Sequence, residues 1–126
     1  MRKMIKVTTV GALALALLAP TAAWAKADVI KTGDCTAASD WKLKLDNENG
    51  QIELEYEVDQ NVVGDVWRVK IRHNGDLAYK FKKTTKAPSG SFEARRLLPN
   101  EAGKDHFKVR AINLSTGEEC VGRASL

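Results

Sequence analysis

The chain of 126 residues is poor in the side chains from which catalytic and metal centres are built. It has two histidines and two cysteines, without Cys-x-x-Cys spacing and without a third ligand near the histidines. No nucleophile signature such as Gly-x-Ser-x-Gly, no glycine-rich phosphate loop and no acidic calcium loop is found. We therefore expect no enzyme, no cofactor and no metal centre.

The side chains that could suggest chemistry have simpler interpretations. His73 stands in "RHNGD" at an expected hairpin, which favours a solvated turn position, and His106 opens an expected strand, where it would pack or cap beside a loop. Glu53, Glu55 and Glu57 alternate along one strand and would share a solvated face. Such a face is a poor setting for paired catalytic carboxylates.

The first 25 residues contain no acidic side chain and carry the pattern of an export signal. "MRKMIK" supplies three cations, an apolar run of about a dozen residues follows, and small residues stand at Ala23 and Ala25. The apolar run is shorter than the roughly 20 residues that a spanning helix needs. We predict a signal peptide over 1–25, cleaved after Ala25 or Ala27, and no membrane span in the mature chain.

Removing this segment changes the charge of the protein. The loss of three cations lowers the net charge from +4 to about +1, so total charge no longer favours a nucleic-acid partner. The remaining residues are enough for one ordinary domain. We expect a mature N-terminal extension over 26–34, a domain over 35–126, and a monomer.

The two cysteines, Cys35 and Cys120, lie near the two ends of the mature chain. An even pair in an exported protein predicts a disulfide bond. A bridge that closes a loop of this length stabilises the fold by roughly 4–5 kcal/mol in the chain-entropy model.

The mature chain alternates apolar and polar residues in short runs, which predicts half-buried strands. The runs are "WKLKLD", "QIELEYEV", "VWRVKIR" and "LAYKFK", then the less regular "SFEARRL", "HFKVRAINL" and "ECVGRASL". Asn-Gly pairs in "NENG" and "HNGD" predict type I′ hairpins. Seven antiparallel strands favour an all-β sandwich of the immunoglobulin-like or fibronectin-III-like kind, with Trp67 buried on the third strand. A small barrel is the alternative.

Three stretches carry a resemblance to a known group: "GDCTAASDWKLKL", "APSGSFEARR" and "GEECVGRASL". They resemble a group of small exported actinobacterial proteins with one terminal cysteine pair, over nearly the whole mature chain. The resemblance implies a secreted sandwich from a Gram-positive cell. It implies no biochemical activity and no functional residues.

Charge is divided between the two halves of the mature chain. Residues 28–66 hold ten acids and three bases, whereas residues 67–110 hold twelve bases and four acids. In a fibronectin-like order the third, fourth, sixth and seventh strands share one sheet. Its outward cations would form a candidate anion-binding face: Arg68, Lys70, Arg72, Lys80, Lys82, Lys108 and Arg110.

We expect a small, non-enzymatic binding or cell-surface module. It would be secreted and extracellular, and association with the cell wall is compatible with this expectation. The candidate face would engage an anionic wall polymer or an acidic protein. Alternatively, its cations only discourage edge pairing and aggregation. Nucleic acid is disfavoured, because the aromatics Trp67, Tyr79, Phe81 and Phe107 fall on core-facing positions. Two rival functions are a protease inhibitor that presents the loop 84–91 and a small-molecule carrier.

Overall fold

The computed structural model describes residues 28–126, and every regular element in that part of the chain is a β-strand. The eight strands are β1 Val29–Asp34, β2 Asp40–Glu48, β3 Gln51–Asp59, β4 Val66–His73, β5 Asp76–Thr84, β6 Ser91–Pro99, β7 His106–Asn113 and β8 Glu119–Ser125. The predicted signal peptide over 1–25 lies outside the described residues. Within 28–126 no helix is long and apolar enough to cross a membrane.

The strands form two four-stranded antiparallel sheets. The first sheet has the order β1-β2-β3-β6 and the second has the order β5-β4-β7-β8. The all-β antiparallel prediction is confirmed, and so is the grouping of the third, fourth, sixth and seventh predicted strands, which are β4, β5, β7 and β8. The chain forms two separate sheets instead of one closed barrel.

The predicted number of seven strands is wrong, and the additional strand is β1. It pairs with β2 from Val29 opposite Leu45 to Asp34 opposite Asp40. Its sequence, VIKTGD, lacks regular alternation, because its inner positions include a lysine and Gly33 at the edge of the sheet. A strand that is only partly buried gives no clear two-residue signal.

Both Asn-Gly pairs form the predicted type I′ turns. Asn49 and Gly50 have φ angles of 49° and 84°, and Asn74 and Gly75 have φ angles of 50° and 92°. The left-handed conformation at both central positions is what a two-residue hairpin requires. These turns set the registers of β2 with β3 and of β4 with β5.

The core lies between the sheets and uses apolar positions of β2, β3, β4, β6, β7 and β8. Trp67 is fully buried, as predicted, and its indole Nε1 donates to Gln60 Oε1 at 3.0 Å. Tyr56 is also fully buried and stacks on Trp41 with ring centroids 6.1 Å apart. Its hydroxyl has no hydrogen-bond partner among the described residues, and burial raises the pKa of Tyr56.

The predicted disulfide closes one open side of the sandwich. Cys35 follows β1 in the first sheet and Cys120 lies in β8 of the second sheet, with their Cα atoms 4.3 Å apart. Trp41 fills the space beside them: a Cβ atom added at Gly33 or Gly122 would lie 2.6 or 2.8 Å from the indole. These two glycines are therefore required by the tryptophan that covers them.

Candidate anion-binding face

The seven cations predicted for the candidate face occupy alternate positions on three neighbouring strands of the second sheet. In β4 they alternate with the buried residues Trp67, Val69 and Ile71, and in β7 they alternate with buried Phe107 and Val109. In β5 the half-buried Phe81 separates Lys80 from Lys82, and the half-buried Tyr79 precedes Lys80. The structure thus brings Arg68, Lys70, Arg72, Lys80, Lys82, Lys108 and Arg110 to one surface, which we call the basic face.

The register of the second sheet places like charges directly opposite each other. Lys70 lies opposite Lys80 of β5 on one side and opposite Arg110 of β7 on the other. The remaining pairs are Arg68 with Lys82 and Arg72 with Lys108. Like charges in directly opposed positions destabilise an antiparallel sheet.

Sequence reasoning missed one member of this surface, Arg123 in β8. It lies opposite Lys108 and is exposed, so the row through Arg72 and Lys108 ends in a third cation. The signal was present in the sequence, since a cysteine that points into the sandwich at position 120 sends residues 121 and 123 outward. The loose patterning of "ECVGRASL" concealed it.

Among the described residues, one acid stands on the outer face of the second sheet. Glu119 accepts from Arg110 Nε at 3.2 Å and from Arg110 Nη2 at 3.0 Å. This hydrogen-bonded pair lowers the pKa of Glu119 and raises the pKa of Arg110. The pair holds the guanidinium of Arg110 in place, whereas Arg72 donates one long hydrogen bond of 3.5 Å from Nη1 to the Gly75 carbonyl.

Four of the cations surround a shallow depression of about 200 Å³, which we call the four-cation depression. Its lining is Lys70 and Arg72 from β4 and Lys108 and Arg110 from β7. The four side chains come from two directly opposed pairs, so they stand at the corners of a rectangle on adjacent strands. A concave surface lined by cations attracts and concentrates anions.

The first sheet arranges the charges at the centre of its outer face differently. Glu55 lies opposite Lys44 on one side and opposite Arg95 on the other, and Arg95 Nη2 is 2.8 Å from the Glu55 carboxylate. Glu57 lies opposite Lys42. Acid–acid pairs occur away from this centre, where the registers are Asp40 with Asp59, Asp46 with Glu53 and Glu57 with Glu93.

The interpretation of His73 as a solvated turn residue is wrong. The side chain is 7% exposed, stacks on Phe107, and its Nε2 lies 2.7 Å from Oδ1 of the fully buried Asp105. Asp105 also accepts from the Glu101 backbone N–H, and its own backbone pairs with Leu126. The His73–Asp105 pair therefore fastens the β4–β5 hairpin to the β6–β7 loop and to the chain end.

Glu101 is a third potential metal ligand near this pair, and its position was not predicted from the sequence. His73, Glu101 and Asp105 each have one ligand atom within 4.8 Å of the others. Each of these side chains already makes a hydrogen bond inside the protein, and Glu101 accepts from the Asn74 amide at 2.8 Å. We therefore give the cluster a fastening role and assign it no metal.

The loop 84–91 is held tightly against the β3–β4 loop. The Gly90 carbonyl accepts from the backbone N–H groups of Gln60 and Asn61, and a side chain at Gly90 would collide with the backbone of Val62. Thr85 is buried and exchanges backbone hydrogen bonds with Asp65 and Gly64. Only the four residues 86–89 form an exposed tip.

Comparison of the chain with protein-family models, with curated proteins and with solved structures found no match. The resemblance to exported actinobacterial proteins therefore stays a prediction. The terminal cysteine pair that belongs to it is present as the Cys35–Cys120 disulfide.

Proposed function

We propose that this protein is a non-enzymatic module that binds an anionic polymer or an acidic protein through its basic face. The observation that carries the proposal is the register of the second sheet, in which cations stand opposite cations across three strands. Protein sheets gain stability from opposite charges in these positions. A surface that lacks this stabilisation is suited to binding a partner that supplies the negative charge.

The alternative role for these cations, protection against edge pairing, accounts for only part of the pattern. Such protection needs charges on edge strands. Lys80 and Lys82 lie on the edge strand β5, but Arg68, Lys70 and Arg110 lie on the central strands β4 and β7. The central cations favour a binding role over protection of the edge.

We also propose that the protein is exported. The Cys35–Cys120 disulfide indicates an oxidising environment, and the signal-peptide pattern of residues 1–25 supports secretion. We further infer an immunoglobulin-like, fibronectin-III-like sandwich. With β1 set aside, the orders β2-β3-β6 and β5-β4-β7-β8 correspond to A-B-E and C′-C-F-G.

The rival functions receive less support. A loop that occupies a protease cleft needs an extended, protruding segment, whereas the exposed tip 86–89 is closed by a bridge between Lys86 and Ser91. A carrier needs a cavity between its layers, and the side chains that face each other between the two sheets are packed to full burial at most positions. Neither function is proposed further.

Retention on phosphocellulose tests the proposed function. We expect retention of the disulfide-bonded protein at low salt and its release as salt rises, because screening weakens contacts between exposed charges. The triple variant Arg68→Gln, Lys70→Gln, Arg72→Gln should elute at much lower salt than the wild type. The matched control Lys42→Gln, Lys44→Gln, Arg95→Gln loses the same formal charge from the other sheet and should elute close to the wild type. Equal elution of the two variants would refute the proposal.

A further inference from the structure

The four-cation depression is more specific than the rest of the basic face. Its cations form two directly opposed pairs, Lys70 with Arg110 and Arg72 with Lys108. Opposed side chains in a sheet have Cβ atoms about 4.5–5.5 Å apart, and positions two residues apart along a strand are separated by about 6.7 Å. The depression therefore presents four positive groups around an area that fits one small oxyanion.

The number and placement of these cations favour a tetrahedral oxyanion. A carboxylate offers two oxygens in one plane, whereas a phosphate monoester offers three strong acceptor oxygens and a charge of about −1.5 to −2. A guanidinium group such as that of Arg72 matches a pair of such oxygens with two parallel N–H donors. The Nε and Nη2 donors of Arg110 are engaged by Glu119, so Arg110 contributes its Nη1 donor and its positive charge. The ion pair with Glu119 already orients Arg110 beside the depression, which lowers the cost of ordering it on binding.

A second depression of about 270 Å³ continues the first toward the β8 edge. It shares Arg72 and Lys108 with the first and adds Arg123, together with His106 and Ser125. The imidazole Nδ1 of His106 lies 2.7 Å from Ser125 Oγ, so this end of the trough is polar as well as basic. An ester group bound in the four-cation depression would have room for the organic part of its ligand along this trough.

We infer that the four-cation depression is a binding site for the tetrahedral oxyanion of a phosphate or sulfate ester carried by the partner. This inference rests on the proposed function and narrows it, since it excludes partners whose only anionic groups are carboxylates. Phosphate and sulfate esters share the tetrahedral oxyanion, and they are the two sources of it that the experiment distinguishes.

Amide chemical shifts of the ¹⁵N-labelled, disulfide-bonded protein test the inference, with inorganic phosphate, sulfate and acetate as probes at constant ionic strength. Phosphate or sulfate should give saturable shifts centred on residues 70–72 and 108–110, with an affinity at least about tenfold above that of acetate. The probe that binds more tightly identifies the ester. Acetate binding as tight as that of both tetrahedral probes would overturn the inference.

Two double variants locate the site. Lys70→Gln with Lys108→Gln removes one cation from each strand of the depression and should weaken binding of the better tetrahedral probe by about tenfold or more. Lys80→Gln with Lys82→Gln removes the same charge from the same face outside the depression and should weaken it by less than about threefold. The spectra themselves report whether each variant is folded.

The outcomes separate this inference from the proposed function. If both double variants lose affinity equally while the protein still binds phosphocellulose, the discrete site is refuted and the anion-binding face stands. If the wild type neither binds phosphocellulose nor responds to any probe, both proposals fail.

Discussion

The outer faces of the two sheets arrange their exposed charges across the strands in opposite ways. At the centre of the first sheet, Glu55 stands between Lys44 and Arg95, so the sign of the charge alternates across the strands. At the centre of the second sheet, Lys70 stands between Lys80 and Arg110, so the sign does not change. One chain therefore contains both arrangements on strands of similar length.

The difference indicates that the basic face is not a by-product of composition. In the first sheet acids oppose acids only away from Glu55, and the centre gains stability from opposite charges. The second sheet keeps the unfavourable pattern on its central strands β4 and β7 and has Glu119 as its one acid among the described outer positions. The unfavourable pattern lies on the surface through which we propose that an anionic partner binds.

The largest effect is expected when the basic face is given the charge pattern of the first sheet. Lys70→Glu places an acid between Lys80 and Arg110, and retention on a polyanion should weaken by about tenfold or more. The same substitution should raise the free energy of unfolding by about 1 kcal/mol, since two like-charge contacts become opposite-charge contacts. Matrix retention and urea unfolding measure the two effects.

Lys42→Glu is the mirror-image control for that variant. It makes the same change of formal charge on the first sheet, where Lys42 lies opposite Glu57. It should leave retention within about twofold of the wild type and should lower stability by about 0.5 kcal/mol. Stability changes of the same sign in the two variants would contradict the comparison of the two faces.

A smaller effect is expected from breaking the alternating pattern of the first sheet. Glu55→Lys places a cation between Lys44 and Arg95 and removes the 2.8 Å contact to Arg95, which should cost about 1–2 kcal/mol in urea unfolding. Glu57→Lys is the matched control, because Glu57 lies between Lys42 and Glu93. The substitution loses the favourable pair with Lys42 and gains a favourable pair with Glu93. An equal loss of stability in both variants would show that the register does not govern these energies.

Ionic strength should affect the two faces in opposite directions. Screening weakens the repulsion among the central cations of the second sheet and the attraction at the centre of the first. Raising salt should therefore stabilise the wild type relative to Lys70→Glu by about 0.5 kcal/mol in thermal unfolding. A stability difference between the two proteins that salt leaves unchanged would argue against repulsion on the basic face.

The smallest effect concerns the one complementary pair on the basic face. The hydrogen-bonded ion pair with Arg110 lowers the pKa of Glu119 below its unfolded value. The pair's contribution to stability is therefore fully present above the unfolded carboxyl pKa of about 4.3 and is lost as pH falls through the lower folded pKa. Glu119→Gln should flatten this part of the acid unfolding profile. An unchanged profile would mean that the pair contributes nothing measurable.

The parts of the fold that could be predicted from sequence are those encoded locally. The alternation in β2 to β5, the two Asn-Gly turns and the single cysteine pair each carry their signal within a few residues or leave one choice of pairing. The basic face followed from the same alternation, because the parity of a strand decides which side chains point outward.

The parts that could not be predicted depend on contacts between distant residues. β1 pairs as a partly exposed edge strand without an alternating pattern, and its Gly33 is explained only by the indole of Trp41 that covers it. The buried His73 stacks on Phe107 and is hydrogen-bonded to Asp105, which lies 32 residues away in the sequence. The opposition of Arg123 and Lys108 required the register of β7 with β8.

The melting temperature in the presence of long-chain inorganic polyphosphate tests the central claim most directly. A ligand that binds only the folded protein stabilises it, and at about 100 times the dissociation constant it should raise the wild-type melting temperature by roughly 10 °C or more. The rise should disappear in Arg68→Gln, Lys70→Gln, Arg72→Gln and persist in Lys42→Gln, Lys44→Gln, Arg95→Gln. A wild-type melting temperature that polyphosphate does not change, or an equal rise in both variants, would contradict the account.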